Sequence, residues 1–311
     1  MNYAGAERID ISAIPVIDFG DANPETTGRA MLQAAEGTGF FYVGNHGIEQ
    51  VLIDRVLDIS ARFFAQTLAQ KQTVAVNAGH RGYIQMGQAK MTGGARPDLK
   101  ESFIWGLDTP GPDGIPPNAW PDALPEMRPT LNAFFDAGNQ LGWRMLRAFA
   151  AALALPQDRF VRTVDRPISR GAMIYYPPQP PEMGAEQFGV ASHTDYGCLT
   201  LLYQDGTGGL QVQGANGAWI AAHPIPGAFV VNVGDLLARW SNDRFRSTPH
   251  RVVNRSGRTR LSTALFIDPN QDTVIDPVVR APEPAHYPAI ACGDYLKSRL
   301  DATFAYRQAQ P

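Results

Sequence analysis

Short strand-like runs fill the sequence from Ser169 onward, and this feature restricts the possible folds more than any other. The runs are rich in β-branched and aromatic residues and are separated by Gly, Pro or Asn. Two of them flank Asn216-Gly217, a dipeptide typical of a two-residue hairpin turn. The runs are residues 170–176, 199–203, 210–213, 218–220, 229–233, 251–253 and 261–267. Such a density of short strands indicates a β-sandwich or a jelly roll.

The first half of the chain and its C-terminal end have a mainly helical pattern. Helical stretches are predicted at about residues 26–36, 51–67, 129–155 and 294–307, and short strands at 14–19 and 39–43. We therefore expect an α+β protein with a mainly β core. A helix-rich region at residues 1–165 would pack on a core at residues 166–311, which ends in a C-terminal helix. The two regions would form one structural unit.

Residues 80–120 are rich in Gly, Pro and polar residues, and this pattern predicts loops. Within them, residues 96–103 have two interpretations. They form the lid or rim of a pocket, or they form a surface loop in which Lys100 and Glu101 make a solvated pair. The sequence leaves both interpretations open.

Composition excludes several classes of function. The 311 residues carry a net charge of −3 without a basic stripe, so we expect no nucleic-acid partner. No uninterrupted apolar run reaches about 20 residues, so we expect no membrane span. The N-terminal residues lack a secretory signal pattern, and Cys198 and Cys292 are the only cysteines. These features favour a cytoplasmic protein.

A candidate metal site lies at His193-Thr194-Asp195. In an extended chain residues i and i+2 point to the same side, so His193 and Asp195 present an imidazole and a carboxylate together. A second imidazole from a separate strand, His250, completes a face of two histidines and one carboxylate. Such a face leaves other coordination positions open, as in non-haem iron(II) oxygenases, whereas four protein ligands would indicate a structural site. Each residue alone is more simply a packing or turn residue, so the prediction rests on all three.

Arg260 and Ser262 follow the same alternation and share a face at the start of a β-prone run. An arginine guanidinium can form two parallel hydrogen bonds to a carboxylate, and a serine hydroxyl can donate another. We expect this pair to hold an organic acid beside the metal.

Several segments spread over the chain carry a family resemblance. They are residues 14–18 (IPVID), 39–43 (GFFYV), 45–47 (NHG), 175–178 (YYPP), 193–195 (HTD), 208–212 (GGLQV), 232–235 (NVGD), 247–252 (STPHRV) and 260–262 (RLS). Because these segments occur in the family's order, the chain resembles the isopenicillin N synthase-like branch of the iron(II)- and 2-oxoglutarate-dependent dioxygenases. A bare His-x-Asp is unspecific, but His-x-Asp followed by a distant His and then Arg-x-Ser is specific.

The resemblance implies a double-stranded β-helix (jelly-roll) core flanked by helices. It also implies one iron(II), with 2-oxoglutarate as cosubstrate and molecular oxygen as oxidant. The implied reaction couples oxidative decarboxylation of 2-oxoglutarate to succinate and carbon dioxide with hydroxylation, or a related oxidation, of a small molecule. Apart from the resemblance, Arg96, Lys100 and Arg170 would suit an amino-acid-like or acidic substrate, although solvated surface charges explain them as well.

The resemblance also implies roles for individual residues. Arg260 and Ser262 would bind the distal carboxylate of 2-oxoglutarate, and Tyr176 would assist them. The chain departs from the family at two positions: many plant members have Asn in place of Ile174, and many bacterial members have Arg in place of Ala172. By position, the catalytic iron ligands would be His193, Asp195 and His250.

The substrate pocket has weaker candidates. We expect Tyr83, Phe103, Arg170 and Phe266 to line it, although packing or a solvated charge is the simpler role for each. Arg170 shares a predicted face with Tyr176 and is the candidate for a displaced cation.

Two alternatives remain open from the sequence. The same scaffold supports iron(II) oxidases that do not consume 2-oxoglutarate, and also ethylene-forming enzymes. A jelly-roll binding protein with an inert metal is the non-catalytic alternative. Succinate formation distinguishes 2-oxoglutarate consumption from both the other oxidases and the binding protein.

Overall fold

Helices are concentrated in the first half of the chain and strands in the second. The computed structural model describes residues 14–20, 24–89, 96–108, 116–179, 188–304 and 307. The helices are α1 (Pro24–Gly37), α2 (Gln50–Phe64), α3 (Leu68–Gln72), α4 (Met127–Ala152), α5 (Asp235–Trp240) and α6 (Cys292–Thr303). The strands are β1 (Val16–Asp18), β2 (Phe40–Gly44), β3 (Gly82–Ile84), β4 (Glu101–Gly106), β5 (Arg170–Tyr176), β6 (Val190–His193), β7 (Leu199–Gln204), β8 (Leu210–Gln213), β9 (Trp219–Ala221), β10 (Phe229–Val233), β11 (His250–Val252), β12 (Arg260–Ile267), β13 (Val274–Ile275) and β14 (Ile290–Ala291). None of the helices in these ranges combines the length and apolarity needed to cross a lipid bilayer.

Two sheets build the core of the described residues. The larger sheet has the strand order β1-β2-β10-β7-β12-β5-β4-β3, and the smaller one has the order β6-β11-β8-β9. All pairs except β1–β2 are antiparallel. Apolar residues of both sheets share one buried cluster, so the sheets pack face to face. This α+β arrangement, with open sheet edges and flanking helices, matches the predicted jelly roll.

Side-chain alternation sorts the larger sheet into two faces. On β10, Phe229, Val231 and Val233 belong to the cluster that contains the helices α1, α2 and α4. Val230 belongs to the cluster shared with the smaller sheet, and Asn232 faces the same side. The helices therefore cover the outer face of the larger sheet, while its inner face looks toward the smaller sheet.

The prediction of loops over residues 80–120 is wrong in part, because β3 and β4 lie within this range and extend the larger sheet. Each of the two strands is short, and their pairing depends on β5, which is distant in sequence. Lys100 and Glu101 also do not form a solvated pair. Glu101 accepts a hydrogen bond from the buried Lys71 at 2.6 Å, whereas Lys100 lies 3.7 Å from the buried carboxylate of Asp98.

Helix α4 packs closely against β12 because it has a glycine at the contact. A Cβ atom added at Gly142 would lie 2.7 and 2.8 Å from the two γ carbons of Ile267, which is fully buried. These separations are shorter than van der Waals contact, and a β-branched side chain has few other rotamers. Gly37, at the end of α1, faces open space instead.

We predict that Gly142→Ala destabilises the protein, whereas Gly37→Ala does not. Overpacking costs about 1–3 kcal/mol and should exceed the roughly 1 kcal/mol by which alanine favours a helix. Urea unfolding should therefore show a lower midpoint for Gly142→Ala and an unchanged or higher midpoint for Gly37→Ala. Equal midpoints for the two variants would contradict the close helix–sheet contact.

Candidate metal centre

Strand register brings the two histidines together. His193 ends β6, His250 begins β11, and the two residues pair directly across the antiparallel ladder. Their ring centroids are 4.3 Å apart. Asp195 follows β6 by two residues, and one ligand atom from each of these three residues lies within 4.8 Å of the others. The expected group of two histidines and one carboxylate is thus assembled in space.

The hydrogen bonds of the two imidazoles direct their second ring nitrogens inward. Nδ1 of His193 lies 2.8 Å from the Ala191 carbonyl oxygen, and Nδ1 of His250 lies 3.2 Å from that of Thr248. A carbonyl can only accept, so Nδ1 carries the proton and Nε2 keeps its lone pair. The two Nε2 atoms lie 3.7 and 3.8 Å from the carboxylate oxygens of Asp195. Atoms bonded to one ion at about 2.0–2.2 Å can be separated by this distance.

Asp195 is held by the larger sheet. Its Oδ2 atom accepts hydrogen bonds from Thr200 Oγ1 at 2.6 Å and from Asn232 Nδ2 at 2.8 Å. Burial alone would raise the pKa of this carboxyl, but the adjacent histidines and these two hydrogen bonds lower it below its ordinary value. The carboxylate is therefore ionised and fixed in orientation.

Burial has the opposite effect on His193, because the charged form of an imidazole is a cation. Desolvation and the neighbouring His250 lower the pKa of His193 well below its ordinary value. At neutral pH His193 is therefore a neutral imidazole and Asp195 an ionised carboxylate, the protonation states that a divalent metal requires. In the described ranges this group contains three ligands and no fourth, which leaves positions open for exogenous ligands. The residues present fit an iron(II) ion.

A cavity of about 140 Å³ lies beside the ligand group. Arg260 lines it and is fully buried. Its guanidinium donates to the Gly208 carbonyl oxygen, to Ser262 Oγ at 3.1 Å and to Gln204 Oε1 at 2.9 Å, and it stacks over the ring of Tyr176. All of these partners are neutral. No carboxylate of the described residues forms an ion pair with Arg260, so the cavity contains an uncompensated buried cation.

The predicted pocket residues fall into two groups. Arg170 and Phe266 line the cavity, as does Tyr176. The expectation for Tyr83 and Phe103 does not match the structure, because both belong to the core on the outer face of the larger sheet. Alternation explains the difference, since Ser102 and Ile104 on either side of Phe103 face the cavity instead.

Sequence reasoning missed several residues that shape the site. Asn232 was detectable in principle, because it is the one polar residue in an otherwise apolar strand. Thr200 and Gln204 share a face of β7 by alternation, but nothing in the sequence indicates their partners. Lys100 lines the cavity from the segment just before β4, which supports the pocket-rim interpretation of residues 96–103 over that of a surface loop.

Comparisons with known proteins agree with this geometry. A model of the 2OG-Fe(II) oxygenase superfamily matches residues 170–269, and the model "non-haem dioxygenase in morphine synthesis N-terminal" matches residues 14–123. A 2-oxoglutarate-Fe(II) type oxidoreductase of Emericella nidulans is 33% identical, over 96% of this chain and 92% of its own. A homoarginine-6-hydroxylase of Oryza sativa subsp. japonica is also 33% identical, over 95% of this chain and 98% of its own.

Solved structures also show similarity to proteins that bind 2-oxoglutarate (alpha-KG). A full-length Neurospora crassa protein in complex with alpha-KG and thymine superimposes with a TM-score of 0.87. It is 34% identical, and the match covers 96% of this chain and 99% of that one. Fold, ligand group and full-length relatives agree, and the chain belongs to the 2OG-Fe(II) oxygenase superfamily as a dioxygenase that depends on iron(II) and 2-oxoglutarate.

Proposed function

We propose that His193, Asp195 and His250 are the three protein ligands of the iron. The support is their convergence on one point, the direction of both Nε2 atoms and the ionised state of the carboxylate. Bound iron supplies the activation of oxygen that is coupled to decarboxylation of the keto acid. The protein residues fix the positions of the reactants and limit the access of water.

Arg260 is the proposed anchor of 2-oxoglutarate, and its burial without a counter-charge is the observation that carries this assignment. An isolated buried guanidinium costs several kcal/mol, and a bound carboxylate would offset that cost. Ser262 and Gln204 accept hydrogen bonds from the guanidinium and fix its plane, while Tyr176 covers its face. We assign the distal carboxylate of 2-oxoglutarate to Arg260 and the keto-acid end to the metal.

The proposed overall reaction is oxidation of a small molecule, by hydroxylation or a related step, at the expense of 2-oxoglutarate and oxygen. The similar proteins support a small substrate: one was solved with thymine, and another is named a homoarginine hydroxylase. Arg170 and Phe266 are the proposed substrate-side residues among those expected from the sequence. An acidic or amino-acid-like substrate is proposed because Lys100 and Arg170 both line the cavity.

Two further proposals concern the whole chain. Residues 1–165 and 166–311 form one structural unit, which is supported by β2 and β4 pairing with strands of the second region inside one sheet. A cytoplasmic location is supported by Cys198 and Cys292, which are buried and free of disulfide bonds.

We predict that Arg260→Ala weakens 2-oxoglutarate binding at least about tenfold and leaves iron binding intact, because a charge-assisted contact is lost at a site away from the metal. The measurement is anaerobic titration of the iron(II) protein with 2-oxoglutarate, followed by the visible charge-transfer band of the chelate. The exposed Arg258 provides the control, since Arg258→Ala removes the same charge from the surface. Unchanged affinity in Arg260→Ala would contradict the assignment.

Thr200→Val should lower iron(II) affinity by roughly 10- to 100-fold, as is usual when a hydrogen bond to a metal ligand is removed. The change keeps the shape of the side chain but leaves Asn232 as the one remaining hydrogen-bond donor to Asp195 Oδ2 in the described structure. The matched control is Thr263→Val, because Thr263 is fully buried and its hydroxyl has no hydrogen-bond partner in the described structure. Competition titration with a metal chelator measures the iron(II) affinity of both variants. Equal losses in the two variants would argue against a specific role for Thr200.

A further inference from the structure

Two cations other than Arg260 line the cavity, and each has only a loose contact with a carboxylate. Lys100 Nζ lies 3.7 Å from Asp98 Oδ2, and Arg170 Nη2 lies 3.8 Å from Asp268 Oδ2. Close ion pairs have N–O separations of about 2.7–2.9 Å. Both carboxylate Oδ2 atoms and Arg170 Nε lack a hydrogen-bond partner in the described structure. Because Lys100 and Arg170 both line the cavity, Lys100 Nζ and the terminal nitrogens of Arg170 are the donors available to a ligand.

The carboxylates of Asp98 and Asp268 do not line the cavity itself. Asp98 Oδ1 accepts the backbone N–H of Ala191, and Asp268 Oδ1 accepts that of Cys198. Both side chains are fully buried, and burial raises the pKa of each carboxyl above its ordinary value. They lie behind the cations, positioned to hold them in place, and the cations face the open space.

A third cation adds to the positive charge near this part of the cavity. Arg81 is 5% exposed and donates to the carbonyl oxygens of Gly79 and His80. It forms no ion pair with a carboxylate of the described residues. Burial, followed by the charge of Arg170, lowers the pKa of Arg81 to about 9, so it stays charged at neutral pH. Burial and then the nearby cations, Arg170 first among them, also lower the pKa of His80.

The rest of this part of the cavity is apolar. A small hydrophobic cluster, separate from the two main cores, includes Ile84, Ile104, Ala172 and Phe304, and Phe266 packs against it. All of these residues line the cavity. A ligand in this space would place a charged group on the cations and an apolar body against this cluster.

We propose that Lys100 and Arg170 bind the carboxylate of the prime substrate, and that this substrate is an organic acid with an apolar or aromatic body and no ammonium group. The proposal rests on the proposed function and narrows its substrate class. Among the described lining residues, Asp195 is the one carboxylate, and it belongs to the metal ligand group. Within the described lining, the ammonium group of a free amino acid would therefore have no free counter-charge and would face several cations.

Three matched probes test the proposal: phenylacetate, its neutral isostere phenylacetamide, and phenylglycine, which is phenylacetate with an added α-ammonium group. Their dissociation constants are measured by calorimetry on the anaerobic full-length protein with iron(II) and saturating 2-oxoglutarate. The visible chelate band is followed in parallel. The band must persist, which shows that the probes do not displace 2-oxoglutarate from Arg260.

Neutral double variants test the two cations without leaving a buried charge unpaired. These are Lys100→Met with Asp98→Asn, and Arg170→Met with Asp268→Asn. The control is Lys71→Met with Glu101→Gln, because this nearby buried ion pair does not line the cavity.

We expect wild type to bind phenylacetate at least about tenfold more tightly than either other probe, as a charge-assisted contact requires. Each cavity double variant should lose most of this preference, and the control should keep it. The proposal is overturned if wild type fails to bind phenylacetate in the millimolar range, or binds phenylacetamide or phenylglycine as tightly. It is also overturned if the preference survives in both cavity variants or disappears in the control. Absence of the chelate band in wild type would instead contradict the proposed function, so the two failures are distinguishable.

Discussion

The hydrogen bonds on Asp195 are the interaction on which the site depends, because they join the two sheets at the ligand group. Asp195 follows a strand of the smaller sheet, but its Oδ2 atom is held by Thr200 and Asn232 of the larger sheet. Its own backbone carbonyl accepts the N–H of Asp235 at 2.7 Å. The carboxylate therefore has one position relative to both sheets. The two histidines are held relative to each other by their pairing across the smaller sheet, so all three side chains have defined positions.

Positive charge is the second constraint on the cavity. Arg260 lies at one end of β12 and Arg170 lies across from Phe266 at the other end. With no anionic partner among the residues that the structure describes, Arg260 favours binding of an acid. Lys100 and Arg170 each lie 3.7–3.8 Å from a buried carboxylate that does not line the cavity, which is longer than a close ion pair. The same physical principle, a buried cation with incomplete compensation, thus accounts for the proposed sites of both the cosubstrate and the substrate.

Much of the architecture could be predicted from the sequence, and so could the convergence of His193, Asp195 and His250. The spacing in His193-Thr194-Asp195 and in Arg260-Leu261-Ser262 indicated which side chains share a face. The short strands indicated a sandwich or a jelly roll, and the family resemblance implied the jelly roll. Alternation does not say which face is inner, however. Of the four residues expected to line the pocket, Arg170 and Phe266 line the cavity, whereas Tyr83 and Phe103 lie on the opposite side of the sheet.

Contacts between segments that are distant in the chain could not be predicted from the sequence. Strand β4 was interpreted as a loop because its neighbours are rich in Gly and Pro, and its strand character comes from pairing with β3 and β5. The role of Lys100 likewise depends on Asp98, which is buried and accepts the backbone N–H of the distant Ala191. Such tertiary burial of a charged pair has no local signature.

The most direct test of the central assignment is to supply the iron(II) protein with 2-oxoglutarate, ascorbate and ¹⁸O₂ and to analyse the succinate by mass spectrometry. Oxidative decarboxylation converts the keto carbon to a carboxylate and releases carbon dioxide, so one new oxygen atom must enter succinate. We predict that wild type forms succinate carrying one ¹⁸O atom and that Asp195→Ala forms none. Absence of succinate, or succinate without the label, would contradict the account.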